Sequence, residues 1–307
     1  MSETANGGPD RMAGSDRAGV DRVAGAPISW GVCEVPGWGH QLSPERVLRE
    51  MQQVGLAATE LGPDGFLPAD PALMAATLAG HGLEAVGGFT PYVLHRPDVD
   101  PLVELRRLLP GFLAARARVM VLSADTGLTG YDSRPELDPA GWTTLLGNLD
   151  RVAATAAEHG IRAVLHPHVG TMVETGPDVE RVLAGSGISL CLDTGHLLIG
   201  GSDPVALARA VPERIAHTHL KDVDASFARR VQDQRLTYTE AVAQGMYRPL
   251  GHGDVDIADI VGTLSRHGYD GWWVLEQDTI LAEDPVGEGP VADVRTSADF
   301  VRGVLAG

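Results

Sequence analysis

With 307 residues, 44% of them apolar, the chain is long enough to bury the core of one large α/β domain. Its formal net charge of −17, from 24 basic and 41 acidic side chains, speaks against a nucleic-acid partner, which needs a basic face, and for a solvated acidic surface or carboxylates gathered round a cation. Cys33 and Cys191 are too few for a disulfide framework and no apolar stretch approaches the ~18 residues of a membrane span, so a cytoplasmic protein is expected.

Residues 1–26 mix Gly, Ala, Asp and Arg without periodicity or an apolar signal core, and are expected to form a disordered tail. From residue 27 to 307, short apolar runs alternate with helical patterns. The first run, ISWGVC (28–33), leads to a helix expected over 44–54, opened by Ser43-Pro44 and closed at Gly55. AATELG (57–62) precedes a helix over 71–80 behind Asp70, and LEAVGGF (83–89) one over 101–117 behind Asp100. RVMVLSA (118–124) precedes a helix over 139–159 behind Asp138. IRAVLHP (161–167) and ISLCLDT (188–194) lead to shorter helices after Pro177 and Asp203. IAHTHLKD (215–222) is followed by the one long connection, 223–253, a candidate lid, and then a helix over 256–267. WWVLEQ (272–277) precedes the last helix, over roughly 291–305. Each run is too short for a helix, rich in β-branched or aromatic residues and preceded by a turn signal. Eight such units predict a single (βα)₈ TIM barrel over 27–307. The alternative, an open doubly wound sheet, lacks a GxGxxG turn after any run.

A barrel of this kind carries its chemistry at the C-terminal ends of its strands. There the sequence places Glu34, Glu60, Thr90 with Tyr92, Asp125, His166 with His168, Asp193 with His196, the group His217, His219, Lys221 and Asp222, and lastly Glu276. Strand starts carry nothing comparable. His40, His81, His95, His159 and His267 read as structural, and His159 and His267 directly precede a glycine. Runs five to eight end in His, Asp, His and Glu on adjacent strands, a donor set that suits Mn²⁺, Co²⁺, Mg²⁺ or Zn²⁺. Alternation in the seventh run puts His217, His219 and Lys221 on one face, so that His219 can reach a metal while Lys221, one layer higher, meets a substrate. The segment 223–253 holds Arg229, Arg230, Tyr238, Tyr247 and Arg248 as candidate specificity elements.

The stretches LDTGH (192–196), HTHLKD (217–222) and VLEQD (274–278) resemble motifs of the xylose-isomerase-like TIM barrels, a broad group of sugar isomerases, epimerases and dehydratases. The resemblance runs from ISWG to the last helix. Within the group, SWGV, TELGPDGFLP, HPHVGTMVE and GHGDVD are most similar to the inosose dehydratases. That resemblance implies a metal-dependent hydro-lyase acting on 2-keto-myo-inositol, with Mn²⁺ or Co²⁺ favoured over Mg²⁺ or Zn²⁺. The group's metal ligands, usually Glu, Asp, His and Glu from strands five to eight, carry over as Asp193, His219 and Glu276, with His166 in place of the first glutamate. His168 then stands where the group has a substrate-facing histidine, and His196 where it has a sugar-hydroxyl contact. Trp30, Glu34 and Arg248 complete the expected substrate contacts, and Glu276, Lys221, His168 and Glu60 are the candidate acids and bases. Glu174 is a further candidate ligand or a helix cap. In the group's epimerases, glutamates of strands five and eight shuttle a proton between two faces of the sugar. His166 weakens that reading, so dehydration of a keto-polyol is expected ahead of isomerisation or epimerisation of a free ketose. The expected partners are a small polyol or keto-sugar and further copies of the chain, with no nucleic acid or membrane.

Overall fold

Val23–Gly25, not ISWGVC, is the first barrel strand: it pairs in parallel with Trp273–Leu275 on one side and Ala58–Thr59 on the other. The computed structural model describes residues 22–307, so the expected tail lies outside the described residues as far as residue 21, while 22–26 belong to the barrel. At Gly25 the strand packs close to its neighbours: a Cβ there would come within 2.9 Å of the Leu56 side chain. Pro27 opens a short 3₁₀ turn instead, Pro27–Trp30, which ends on Gly31 at φ 79°.

The remaining strands are Glu84–Ala85 continuing as Gly87–Tyr92, then Val119–Ala124, Arg162–Leu165, Ser189–Asp193, Ile215–Leu220 and Trp273–Leu275, all parallel. The third strand is split at Val86, with one part paired to the second strand and the other to the fourth. Val86 joins them: its N–H donates to Thr59 O, and its carbonyl accepts from Arg118 and Val119. Nine strand segments thus occupy the eight positions of a nearly closed TIM barrel.

Helices Pro44–Val54, Pro71–Gly80, Pro101–Ala115, Pro139–Glu158 and Pro204–Ala210 all begin with Pro behind Ser43, Asp70, Asp100, Asp138 and Asp203, whose side chains accept the first free N–H groups. Gly176–Gly185, Ile257–Arg266 and Val291–Ala306 complete the outer layer. Pro101–Ala115 stops short of the expected 117 because Arg116 turns left-handed, φ 59°. The main apolar core lies between strands and helices, while small clusters such as Ala24, Ala58, Val86 and Val274 fill the barrel floor.

The connection after the seventh strand is a folded wall rather than a bare loop. Asp222–Val223 pairs antiparallel with Tyr247–Arg248, and between them lie helices Ala225–Gln232 and Tyr238–Ala243. Val223, Ala228, Tyr238, Ala241, Met246 and Tyr247 bury an apolar cluster of their own with Trp38, Val169 and Ile199. The Asp222 carboxylate accepts from the N–H groups of Val223, Gly251, Gly253 and Val255 at 2.9–3.1 Å, fastening the far end of the wall. Asp222 therefore serves the fold rather than the chemistry. No helix among the described residues is long and apolar enough to cross a membrane.

Candidate metal centre and active site

His219 is the hub of the barrel mouth. Asp193 is its register partner on the sixth strand and Val274 on the eighth, so both neighbours deliver a carboxylate to it. His219 Nε2 lies 3.0 Å from Glu60 Oε1, and Nδ1 lies 3.1 Å from Glu276 Oε2 and 3.6 Å from Asp193 Oδ2. With the proton on Nε2 donated to Glu60, Nδ1 faces two carboxylates and has no hydrogen-bond partner among the described residues, a position for a second proton or for a metal ion. A neutral Nδ1 and two anions converging on one point need positive charge beside them, which the Lys221 ammonium above supplies in part and a metal ion between them would complete. The donor set Asp193, His219 and Glu276, all buried and with ligand atoms within 4.8 Å of one another, fits a divalent metal ion.

His166 approaches the same cluster from the fifth strand, with Nε2 3.1 Å from Asp193 Oδ2. Asp193 Oδ1 is engaged elsewhere, accepting the His196 N–H at 2.7 Å as the cap of helix Thr194–Ile199. Glu174 does not join them: it accepts from Gly170 N–H at 2.8 Å and pairs with Arg134, while Thr175 and Asp178 form the capping box of the next helix. Glu60 takes both His217 Nε2, at 2.8 Å, and His219 Nε2 on the same oxygen. That geometry makes Glu60 an orienting group behind His219.

Lys221 sits one layer above His219 and is buried. Its Nζ lies 2.7 Å from Asp278 Oδ1, 3.0 Å from Glu276 Oε2, 3.3 Å from Asp193 Oδ2 and 2.9 Å from His196 Nε2. Burial alone would lower its pKa, but Asp193, Asp278 and Glu276 outweigh burial and hold it well above the ordinary lysine value. The same contest governs His219: burial lowers it, and its surroundings, with Cys191 and the carboxylates Glu276 and Glu60 foremost, prevail and raise it, so Nδ1 takes up a proton wherever no metal ion holds it. Burial pushes His166 down to about 4, and burial followed by the Lys221 charge pushes His168 down to about 3, so both rings are neutral near pH 7. His168 Nδ1 lies 2.7 Å from Val169 O, which fixes its proton on Nδ1 and leaves Nε2 as an acceptor.

These groups line a cavity of about 60 Å³ whose apolar walls include Phe89, Trp38 and Tyr131. Of the residues expected at the site, His166, His168, Lys221, Glu276, Glu60 and Glu34 line it, with Asp193, His196 and His219 in contact beneath. Two are not brought there. Trp30 is fully buried in the main core and donates its indole N–H to Glu50 at 2.8 Å, because the 3₁₀ turn aims it at helix Pro44–Val54. Arg248 lies on the outer ribbon, 43% exposed, paired with Asp224 at 3.3 Å. Two residues join the site without being expected as its members, Asp278, two positions beyond Glu276, and Tyr131, while Tyr238, expected as a candidate specificity element, reaches it through Asp278. Tyr131 packs its ring 4.3 Å from His168 and hydrogen-bonds Glu34.

Residues 48–303 match the family described as the xylose isomerase-like TIM barrel. The chain belongs to that family. Over 84% of its length it is 35% identical to the rhizopine catabolism protein MocC of Rhizobium meliloti, spanning 81% of that protein. Over 91% of its length it is 30% identical to an inosose dehydratase of Geobacillus kaustophilus, spanning 93% of that enzyme. Among solved structures, the IOLI protein with a bound zinc atom superposes with a TM-score of 0.68 at 12% identity, covering 93% of this chain and 98% of that one. Agreement at that identity concerns the fold alone. In this xylose isomerase-like barrel, ionisable groups capable of holding a metal stand at the C-terminal ends of strands five to eight.

Proposed function

We propose that this xylose isomerase-like barrel is a divalent-metal-dependent dehydratase that removes water from a cyclic keto-polyol such as 2-keto-myo-inositol. The observation that carries the reading is the bare Nδ1 of His219 between Asp193 and Glu276, directly beneath the Lys221 ammonium and the cavity. The kinship with an inosose dehydratase supports the substrate class. Asp193, His219 and Glu276 would hold the ion with His166 beside them; this N/O set suits Mn²⁺, Co²⁺, Mg²⁺ or Zn²⁺, and the resemblance to the inosose dehydratases favours Mn²⁺ or Co²⁺. When bound, the ion supplies a Lewis acid that draws charge from the ketone oxygen and acidifies the adjacent C–H.

The chain's own groups account for every proton. The Glu276 carboxylate takes the α-proton, and the electron pair left on carbon forms the new double bond as the C–O bond to the β-hydroxyl breaks. The Lys221 ammonium protonates the departing hydroxyl. Hydroxide is the conjugate base of water, with a pKa of about 15.7, so even an ammonium held tightly by carboxylates is acidic enough to donate. Glu276 Oε2 and Lys221 Nζ lie 3.0 Å apart, so the captured proton can pass back to the amine and restore both groups as water leaves. His168 Nε2 and Glu34 face the cavity as acceptors for the ring hydroxyls, and Glu60 keeps the His219 tautomer fixed.

The experiment is incubation of the metal-loaded chain with 2-keto-myo-inositol, followed by ultraviolet absorbance of the conjugated enol or diketone product. Rising absorbance supports the dehydratase. A flat trace, together with solvent deuterium entering an unchanged or epimerised sugar, would replace it with an epimerase or isomerase.

A further inference from the structure

We propose that Asp278 is a positioning residue that anchors the Lys221 ammonium and so keeps it from competing with a cation for Asp193 and Glu276. The inference rests on the metal-dependent reading above, but its test does not use turnover.

Lys221 Nζ touches three carboxylates, at 2.7 Å for Asp278, 3.0 Å for Glu276 and 3.3 Å for Asp193. Glu276 and Asp193 stand with His219 in the group able to hold a metal, whereas Asp278 belongs to no such group among the described residues. An ion held by Asp193 and Glu276 would put two positive charges beside the ammonium. Of its three carboxylate partners, Asp278 alone would then remain entirely to Lys221. A buried ammonium without a carboxylate partner is strongly disfavoured, so a lysine lacking Asp278 would stay on Asp193 and Glu276 and oppose the ion.

The Asp278 carboxylate is itself aimed. Tyr238 Oη donates to Asp278 Oδ2, leaving Oδ1 for the lysine, and Tyr238 Oη lies 3.0 Å from Tyr247 Oη. Both tyrosines are buried and come from the folded wall after the seventh strand. Lys221 Nζ also lies 5.5 Å from the centroid of the Tyr247 ring, a cation–π contact that favours the same placement. The wall thus does more than cover the site: it fixes the carboxylate that fixes the lysine.

The test is a double-mutant cycle on Mn²⁺ affinity, measured by calorimetric titration of the metal-stripped full chain as wild type, Asp278→Asn, Lys221→Met and the double variant. Asp278→Asn is expected to weaken Mn²⁺ binding by about ten-fold or more, and Lys221→Met not to weaken it. In the Lys221→Met background the same Asp278→Asn change should matter by no more than about two-fold. An equal loss in both backgrounds would mean that Asp278 acts only as a nearby negative charge, and it would overturn the proposal, as would no loss in either. Tyr238→Phe keeps the charge but releases its aim. It should weaken binding by about three-fold, again only where Lys221 is present, and it keeps the proposal testable if Asp278→Asn fails to fold. A wild-type chain that binds none of Mn²⁺, Co²⁺ or Zn²⁺ would overturn this inference together with the metal reading. Binding with the expected coupling but no dehydration of 2-keto-myo-inositol would leave it standing and remove only the substrate assignment.

Discussion

Strands five to eight of the barrel end in His166, Asp193, His219 and Glu276, ionisable groups that meet one another across neighbouring strands. Strands one to four end differently. Gly25 gives way to a proline turn, Tyr92 rests its hydroxyl on Met120 sulfur, and Thr90 satisfies itself on the Val121 carbonyl. At these strand ends the buried carboxylate among the described residues is Glu60, which reaches across the barrel to His217 and His219 on the seventh strand. One half therefore supplies the charge and the other supplies walls and orientation. The division has a physical basis, since each buried charge is tolerable only beside its counter-charge, and such partners are most easily gathered on adjacent strands.

The sharpest way to break this contrast is to remove a proposed ligand from the charged half. Asp193→Ala should retain no stoichiometric Mn²⁺ or Co²⁺ by elemental analysis and lose turnover by roughly three orders of magnitude. Full metal occupancy in that variant would refute the ligand assignment. Glu60→Gln probes the orienting half: it should weaken metal binding by about 10–100-fold, read by competition with a chromogenic chelator, because the His219 tautomer is no longer fixed. An unchanged affinity would reduce Glu60 to filler. Trp30→Phe should leave KM unchanged and lower stability by about 1–3 kcal/mol in denaturant titration, since Glu50 loses the indole N–H inside the core. A raised KM at unchanged stability would return Trp30 to the substrate. Arg248→Ala is the smallest change, under about 1 kcal/mol with KM unaltered, because its partner Asp224 is a partly exposed surface group.

The contrast also explains what the amino-acid sequence disclosed. The charged half was legible because His, Asp, His and Glu interrupt apolar runs on four neighbouring strands, where each buried ionisable group needs a partner close by. The helix starts were legible because Ser43-Pro44, Asp70-Pro71, Asp100-Pro101, Asp138-Pro139 and Asp203-Pro204 satisfy the same free N–H groups by the same local rule. The first half was misread at Val23–Gly25, where three small residues carry no period, and at Trp30, whose partner Glu50 lies on the following helix. Arg248 looked like a specificity element because charge in a long connection attracts notice. The antiparallel ribbon that carries it outward exists only through its pairing with Asp222–Val223. Asp278 follows the eighth strand, beyond the run that marks Glu276, and its role depends on tyrosines from a different connection.

The central claim is that a divalent ion held at the charged half drives loss of water from a cyclic ketone. Its most direct test is to strip the chain with a chelator and follow dehydration of 2-keto-myo-inositol before and after returning Mn²⁺ or Co²⁺. The expected result is loss of activity on stripping and recovery that saturates at one ion per chain. Undiminished turnover by the stripped chain would contradict it.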